Sequence, residues 1–226
     1  MDLGLTDRVY VVTGGGRGLG RASADLLVAE GARVVLSGRD QGTLDEAAAE
    51  LGERAAVVVG DNADPKTAER LVSTARDTWG RLDGALISVG GPPTGTIMDS
   101  SDADWTTSFQ SVFVGGLRVA RAVARAIEGP GSIAFVLSSS VKAPIANLAI
   151  SNGLLPGRVG TERVAELDAS TGDAEAAREK AIAGIPLGRY GEPEEFAAAA
   201  VFLLSPASSF ISGTMLPVDG GMLRAL

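Results

Sequence analysis

The stretch "TGGGRGLG", Thr13 to Gly20, sets five glycines in eight positions between an apolar run and an Ala/Leu-rich one. Gly14, Gly18 and Gly20 leave room for a tight turn and for backbone to approach a pyrophosphate closely. The helix that follows offers unpaired N–H groups and the positive end of its dipole. Gly16, Arg17 and Leu19 complete the loop as cofactor-binding candidates. Glycine also serves ordinary strand-to-helix turns, so position decides. A turn after the first strand and before the first helix is where a dinucleotide fingerprint belongs. The second apolar run ends "VVLSGRD". In an NAD site a carboxylate about 20 residues past the glycines binds the ribose 2′-hydroxyl. Ser37 and Gly38 stand there instead, followed by Arg39. With no carboxylate at that position and a guanidinium beside it, a 2′-phosphate is accepted, and Arg17 adds a second positive charge nearby. This favours NADP(H) over NAD(H). The alternative leaves Arg39 as a solvated turn residue and turns Asp40 inward to serve NAD.

Other chemistries lack a part. The 226 residues include no histidine and no cysteine. Ser–His–Asp hydrolysis, thiol nucleophiles, disulfides and most zinc sites are therefore excluded, and no metal site is expected. A net charge of −8 argues against a nucleic-acid partner. No segment approaches the roughly 18 apolar residues of a membrane span. The N-terminus has no basic region of a signal peptide. A cytoplasmic protein with no membrane partner is expected.

The elements that must position the glycine turn follow from the pattern. β-branched runs such as "RVYVVTG", "ARVVLSG", "AAVVVGD", "LDGALISVG" and "GSIAFVLSSS" read as five strands. Ala/Leu-rich stretches separate them and read as helices. One of these, "DPKTAERLVSTARDTWG", should start with Asp64 as N-cap and Pro65 at the first helical position. Another, "DADWTTSFQSVFVGGLRVARAVARAI", should be a long fourth helix. Strands apolar throughout are buried on both faces. Strand–helix repetition then gives α/β architecture with a doubly wound parallel sheet. One domain over 1–226 accounts for the whole chain.

Four ordered motifs together resemble the short-chain dehydrogenase/reductase family, over nearly the whole length. They are "TGGGRGLG", the acidic turn "GDNAD", the loop "PGRVGT" from Pro156 to Thr161, and the tail "GRYGEPEEFAAAAVFLLSPASSFISGTMLPVDGG". The style is nearest to 3-oxoacyl-(acyl carrier protein) reductase-like members. The resemblance implies a Rossmann fold, with Asp61 and Asn62 holding adenine and Gly90 lying beside the cofactor. It also implies a nicotinamide loop of Pro156, Gly157, Val159 and Thr161. Hydride would pass between NADP(H) and a small carbonyl or alcohol substrate. A homo-oligomer, dimer or tetramer, would pack through the long fourth helix.

The family's chemistry uses a Ser, a Tyr, a Lys and a helix Asn. Ser140, the last of three serines closing the fifth strand, matches the first. Leu148 stands at the Tyr position, Asn152 at the Lys position and Val112 at the Asn position. The two tyrosines, Tyr10 and Tyr190, lie in the first strand and before a late helix, away from Ser140. Lys142 is a candidate proton donor if its site lowers its pKa; the alternative is a loop lysine in water. The resemblance further implies a helix and a sixth strand before "PG", yet Ser140 and Pro156 are only 16 positions apart. Because a parallel crossover alone takes a dozen or more residues, the helix and strand between Asn152 and Leu154 are expected to be missing. Residues the protein carries outside this sequence, a true deletion or a wrong register would each explain this. The first is favoured, since losing a core helix and a central strand should expose a wide apolar face. Two functions follow: an oxidoreductase with an atypical active site, or a regulatory protein that binds the cofactor with little turnover.

Overall fold

The computed structural model describes residues 2–89, 101–137 and 152–223, with backbone alone at 152–154. Seven strands form one sheet: β1 (Val9–Thr13), β2 (Arg33–Gly38), β3 (Ala55–Val59), β4 (Gly84–Ile87), β5 (Ser132–Val136), β6 (Asn152–Pro156) and β7 (Met215–Val218). Their order is β3-β2-β1-β4-β5-β6-β7, and every pairing is parallel.

The central strand shows why the sheet is covered twice. Val9 and Val11 point into a cluster with Leu71, Val119 and Val123. Tyr10 and Val12 point the other way, into a cluster with Leu27, Phe196 and Val201. Helices α3 (Pro65–Trp79) and α5 (Gly115–Ala126) cover the first face; α1 (Gly18–Ala29) and α8 (Pro193–Leu204) cover the second. Alternation of side chains across a strand produces both contacts. Each fully buried aliphatic side chain contributes about 1.5–3 kcal/mol. The Tyr10 hydroxyl donates to the Leu204 carbonyl at 3.0 Å, and the Ser132 hydroxyl to that of Leu203 at 2.7 Å. The last carbonyls of α8 are thereby satisfied from the sheet.

Local expectations hold at α3. Asp64 accepts from the Lys66 N–H at 2.9 Å, Pro65 opens the helix, and Gly80 closes it at φ +72°. The long fourth helix is interrupted. α4 (Asp102–Ser108) runs into α5 through a π-turn at Phe109–Val114.

The expectation of a missing strand is overturned. Asn152–Pro156 itself is the sixth strand, paired with β5 on one side and β7 on the other. Fifteen residues, 137–151, connect β5 to β6, which is above the minimum for a parallel crossover. Asn152 therefore begins a strand and does not stand at a helix lysine position. Leu148 lies outside the described residues.

At the amino ends of β1 and β4, Asp83 is buried and accepts four hydrogen bonds. Arg81 gives two, at 2.6 and 2.8 Å. The Val9 N–H gives one at 2.9 Å and Arg8 one at 3.2 Å. Asp83→Asn keeps the shape but removes the charge these donors converge on. We expect a loss of about 2 kcal/mol, at the modest end because Arg81 is half exposed, read as a melting point lower by roughly 4–8 °C. Cofactor affinity should not change, because Asp83 sits at the opposite end of the sheet from the glycine turn.

Candidate functional site

Strand order reverses between β1 and β4, which leaves a crevice at their carboxyl ends. The two ends are locked together there. The Thr13 hydroxyl donates to the Ser88 carbonyl at 2.8 Å and accepts from the Ser88 N–H at 2.9 Å. Gly14 follows at φ +64°, and a Cβ on it would stand 2.7 Å from the Ser88 carbonyl oxygen. A Cβ on Gly20 would overlap the Gly14 carbonyl oxygen. Both positions thus accept only glycine, one for its backbone angle and one for helix-to-loop contact. The Gly15 N–H bonds the Ser37 carbonyl at 3.0 Å, pinning the turn to β2. Arg17 is the N-cap of α1, in extended conformation, and no side chain caps the helix. A tight glycine cradle opening onto an uncapped helix N-terminus fits a pyrophosphate.

At the end of β2, Arg39 is exposed and makes no ion pair among the described residues. Asp40 does not turn inward. Its carboxylate caps α2 (Gln41–Leu51), accepting from the Thr43 N–H at 2.8 Å. That bond, the Thr43 hydroxyl and the charge of Arg17 hold its carboxyl below the usual range. Past β3, Asp61 accepts from the Ala63 N–H at 2.8 Å and so folds its own turn. The Asn62 carbonyl accepts from Arg118 of α5 at 3.2 Å, and the Ala63 carbonyl does so at 3.0 Å. A Cβ on Gly115 would meet the Asn62 carbonyl oxygen at 2.6 Å. Arg118 and Gly115 thus shape this turn from the neighbouring helix on the same face, and sequence reading missed both. The Gly115–Gly116 pair inside a helix was the available signal of a close approach.

The loop after β6 reaches the same crevice. The Gly157 N–H bonds the Val218 carbonyl at 3.0 Å. Val159 is buried and bridges Gly191. Thr161 caps α6 (Glu162–Ala169), and its methyl lies 3.8 Å from where a Gly18 Cβ would be. The loop is held by a buried carboxylate that sequence reading also missed. Asp168 accepts from Arg158 at 2.9 Å and from the Tyr190 hydroxyl at 2.9 Å. The Arg178 guanidinium stacks on the Tyr190 ring at 4.4 Å. Burial first, then the bond to Asp168, raises the Tyr190 hydroxyl above its usual range, so it remains a donor at neutral pH. Tyr10 is pushed up by burial as well. Neither tyrosine is followed four residues on by lysine. Val112, where the resemblance leads one to expect the family's Asn, falls within the π-turn and brings no polar side-chain atom.

The structure therefore gathers Gly14, Gly16, Arg17, Gly18, Leu19, Gly20 and Ser37 with Arg39 on one side of the crevice. It brings Pro156, Gly157, Val159 and Thr161 to the other side. Asp61 and Asn62 stand at the end of β3. Gly90, Ser140 and Lys142 lie outside the described residues. Among the described residues no cluster of acidic groups could hold a metal ion, and no helix is long and apolar enough to cross a membrane.

A parallel sheet with a glycine cradle at its switch point defines a Rossmann-type nucleotide-binding fold. The short chain dehydrogenase family profile matches residues 8–150, and that of enoyl-(acyl carrier protein) reductase matches 150–223. The chain belongs to the short-chain dehydrogenase/reductase family of oxidoreductases, whose members bind NAD(P)(H). It is 34% identical to an uncharacterized oxidoreductase of Mycobacterium tuberculosis (strain CDC 1551 / Oshkosh), over 96% of this chain and 93% of that one. It is 28% identical to a 3-oxoacyl-[acyl-carrier-protein] reductase of Vibrio harveyi, over 97% and 99%. The crystal structure of L-sorbose reductase from Gluconobacter frateurii, complexed with NADPH and L-sorbose, superposes with a TM-score of 0.92. It is 27% identical and covers all of both chains. The first pairing runs over 248 positions, more than this chain's 226 residues, so that relative carries residues with no counterpart here.

Two outcomes are expected. Gly20→Ala should cost at least tenfold in dinucleotide affinity by calorimetry, since its Cβ displaces the loop. Glu195 is paired with Arg189 at 2.7 Å at the start of α8. The Arg189 bonds, then the Glu192 N–H, lower its pKa from 4.5 to about 2. A depressed carboxyl stabilises the fold above its unfolded pKa, and that contribution is lost as pH falls from about 4.5 toward 2. Glu195→Gln should flatten that part of the acid unfolding curve.

Proposed function

We propose that the protein transfers hydride between NADP(H) and a small carbonyl or alcohol substrate through an active site without the family's Tyr–Lys pair. One observation carries the cofactor choice: the carboxylate that follows β2, Asp40, is spent on capping α2, which leaves the exposed guanidinium of Arg39. A free carboxylate would favour a 2′-hydroxyl; a free guanidinium favours a 2′-phosphate. Arg17, across the turn, brings a second guanidinium, which is paired with Glu162. Asp61 and Asn62 are assigned to adenine, and the loop from Pro156 to Thr161 to the nicotinamide.

When bound, the reduced nicotinamide supplies the hydride. Ser140 donates a hydrogen bond to the carbonyl oxygen and orients it. The proton that balances the hydride comes from Lys142, which recharges from water. An ammonium does this at neutral pH only where the site depresses its pKa, so the alcohol product should form faster as pH falls toward that pKa. The cytoplasm supplies both NADP(H) and a reducing milieu that suits this chain.

A second reading is a regulatory protein that binds the cofactor with little turnover. Val112 within the π-turn and two tyrosines committed elsewhere favour it. NADPH binding followed by fluorescence, with NADPH oxidation across a panel of ketones and aldehydes, separates the two. The oxidoreductase reading expects tighter binding of NADPH than NADH by at least tenfold, with turnover abolished by Ser140→Ala. Tight NADPH binding with no oxidation of any substrate would leave the regulatory reading.

A homo-oligomer is part of this proposal. Trp105 and Phe109 of the fourth helical run are both more than half exposed, and Phe109 stacks on Phe113 at 5.0 Å. Acidic residues open the run and arginines close it, so two antiparallel copies would match in charge. Sedimentation should show a dimer or tetramer, and Trp105→Asp with Phe109→Asp should shift it to a smaller species.

A further inference from the structure

Arg17 has an unusual position for a phosphate-binding arginine, because it already has a partner. Its Nη1 lies 3.2 Å from Oε2 of Glu162, in the first turn of α6. The two residues come from opposite sides of the crevice. Their backbones are close as well, since Thr161 abuts Gly18. Arg17 also faces Asp40 at the end of β2, whose carboxyl its charge helps to hold down. The guanidinium is thus paired with one carboxylate and within electrostatic reach of a second, at the junction assigned above to the 2′-phosphate. Asp40 is occupied by the Thr43 N–H, whereas Glu162 accepts no hydrogen bond other than that from Arg17 among the described residues.

We propose that Glu162 is a cofactor-discriminating residue: it holds Arg17 across the empty crevice and yields it to the 2′-phosphate when NADP(H) enters. The inference rests on the NADP(H) reading. A phosphate monoester carries nearly two negative charges at neutral pH and pairs with a guanidinium through two oxygens. Glu162 offers one oxygen to one nitrogen, and both side chains are about two-thirds exposed, at 70% and 66%. An exposed pair of this kind is weak, so the phosphate wins the exchange but gives up a small part of its own affinity to do so. NAD(H) has no charge at that position and leaves the pair intact. Glu162 therefore acts as a brake on NADP(H) alone. By reciprocity, NADP(H) loosens the first turn of α6 from the glycine loop while NAD(H) does not.

The test measures dissociation constants of NADP+ and NAD+ by calorimetry at low salt. The proteins are the wild type, Glu162→Gln, Arg17→Ala, the double variant and Glu166→Gln. The last makes the same charge change one turn along α6, where Glu166 faces Arg163. All four variants substitute exposed side chains, and melting points equal to that of the wild type confirm folding. Glu162→Gln should tighten NADP+ by about two- to fivefold and leave NAD+ unchanged. The gain should vanish in the Arg17→Ala background, and Glu166→Gln should have no effect. Weaker or unchanged NADP+ binding by Glu162→Gln overturns the proposal, as does equal tightening of both cofactors or a gain that persists without Arg17. A wild type that prefers NAD+ sinks the NADP(H) reading and this inference with it. A wild type that prefers NADP+ with a silent Glu162→Gln sinks this inference alone.

Discussion

The two hydrogen bonds between Thr13 and Ser88 hold the place on which the site depends. Strand order runs outward in both directions from β1 and β4, so helices on the two sides leave opposite faces of the sheet. A gap opens only where they part, and it stays narrow only if the two strand ends are tied. The Thr13 hydroxyl does this by serving as donor and acceptor at once. The tie brings the Ser88 carbonyl so close to residue 14 that a Cβ there would sit at 2.7 Å. The glycine at 14, the turn it permits and the uncapped start of α1 all follow from that approach. Gly20 repeats the constraint one turn later, against the carbonyl of Gly14 itself.

Much of this was legible in the sequence because it is local or periodic. The glycine turn, the apolar strands and the Asp64–Pro65 start of α3 each follow from residues within a few positions of one another. The electrostatic choice at the end of β2 was legible only in part. Arg39 can be read from the sequence, but whether Asp40 turns toward a ribose or caps a helix depends on Thr43 and the onset of α2. The pieces that sequence reading missed are long-range. Arg118 reaches the turn after β3 from a helix more than fifty positions away. Asp168 gathers Arg158 and Tyr190 from three separate segments. A buried carboxylate with two charge-assisted or hydroxyl donors gives no periodic signal, because its partners are chosen by tertiary packing.

The sixth strand teaches a different point. "SNGLLPG" lacks the β-branched run that marks the first three strands, and its asparagine, glycine and proline are residue types depleted in strands. Its strand character comes from its neighbours. β5 and β7 each present a free edge, and five residues between them satisfy both. Pairing on two sides overrides weak local propensity. The sixth strand is present because the sheet recruits Asn152–Pro156, which leads directly into the loop ending at Thr161. What is short is the connection of fifteen residues.

That economy bears on chemistry as well as on folding. In the family's scheme the tyrosine and lysine ride on the crossover helix that enters the sixth strand. A crossover of fifteen residues can still place the loop from Pro156 to Thr161, because that loop hangs from β6, β7 and the Asp168 network. Nothing in its anchoring requires the crossover. Cofactor binding and proton delivery are therefore separable in this fold. In the proposed reading the first rests on the glycine turn, the end of β2 and the loop after β6, and the second on residues carried between β5 and β6. A chain shortened there retains the anchoring of the glycine turn and of the loop after β6. For this reason the glycines and arginines at the ends of β1 and β2 can be positioned independently of whatever the connection between β5 and β6 carries.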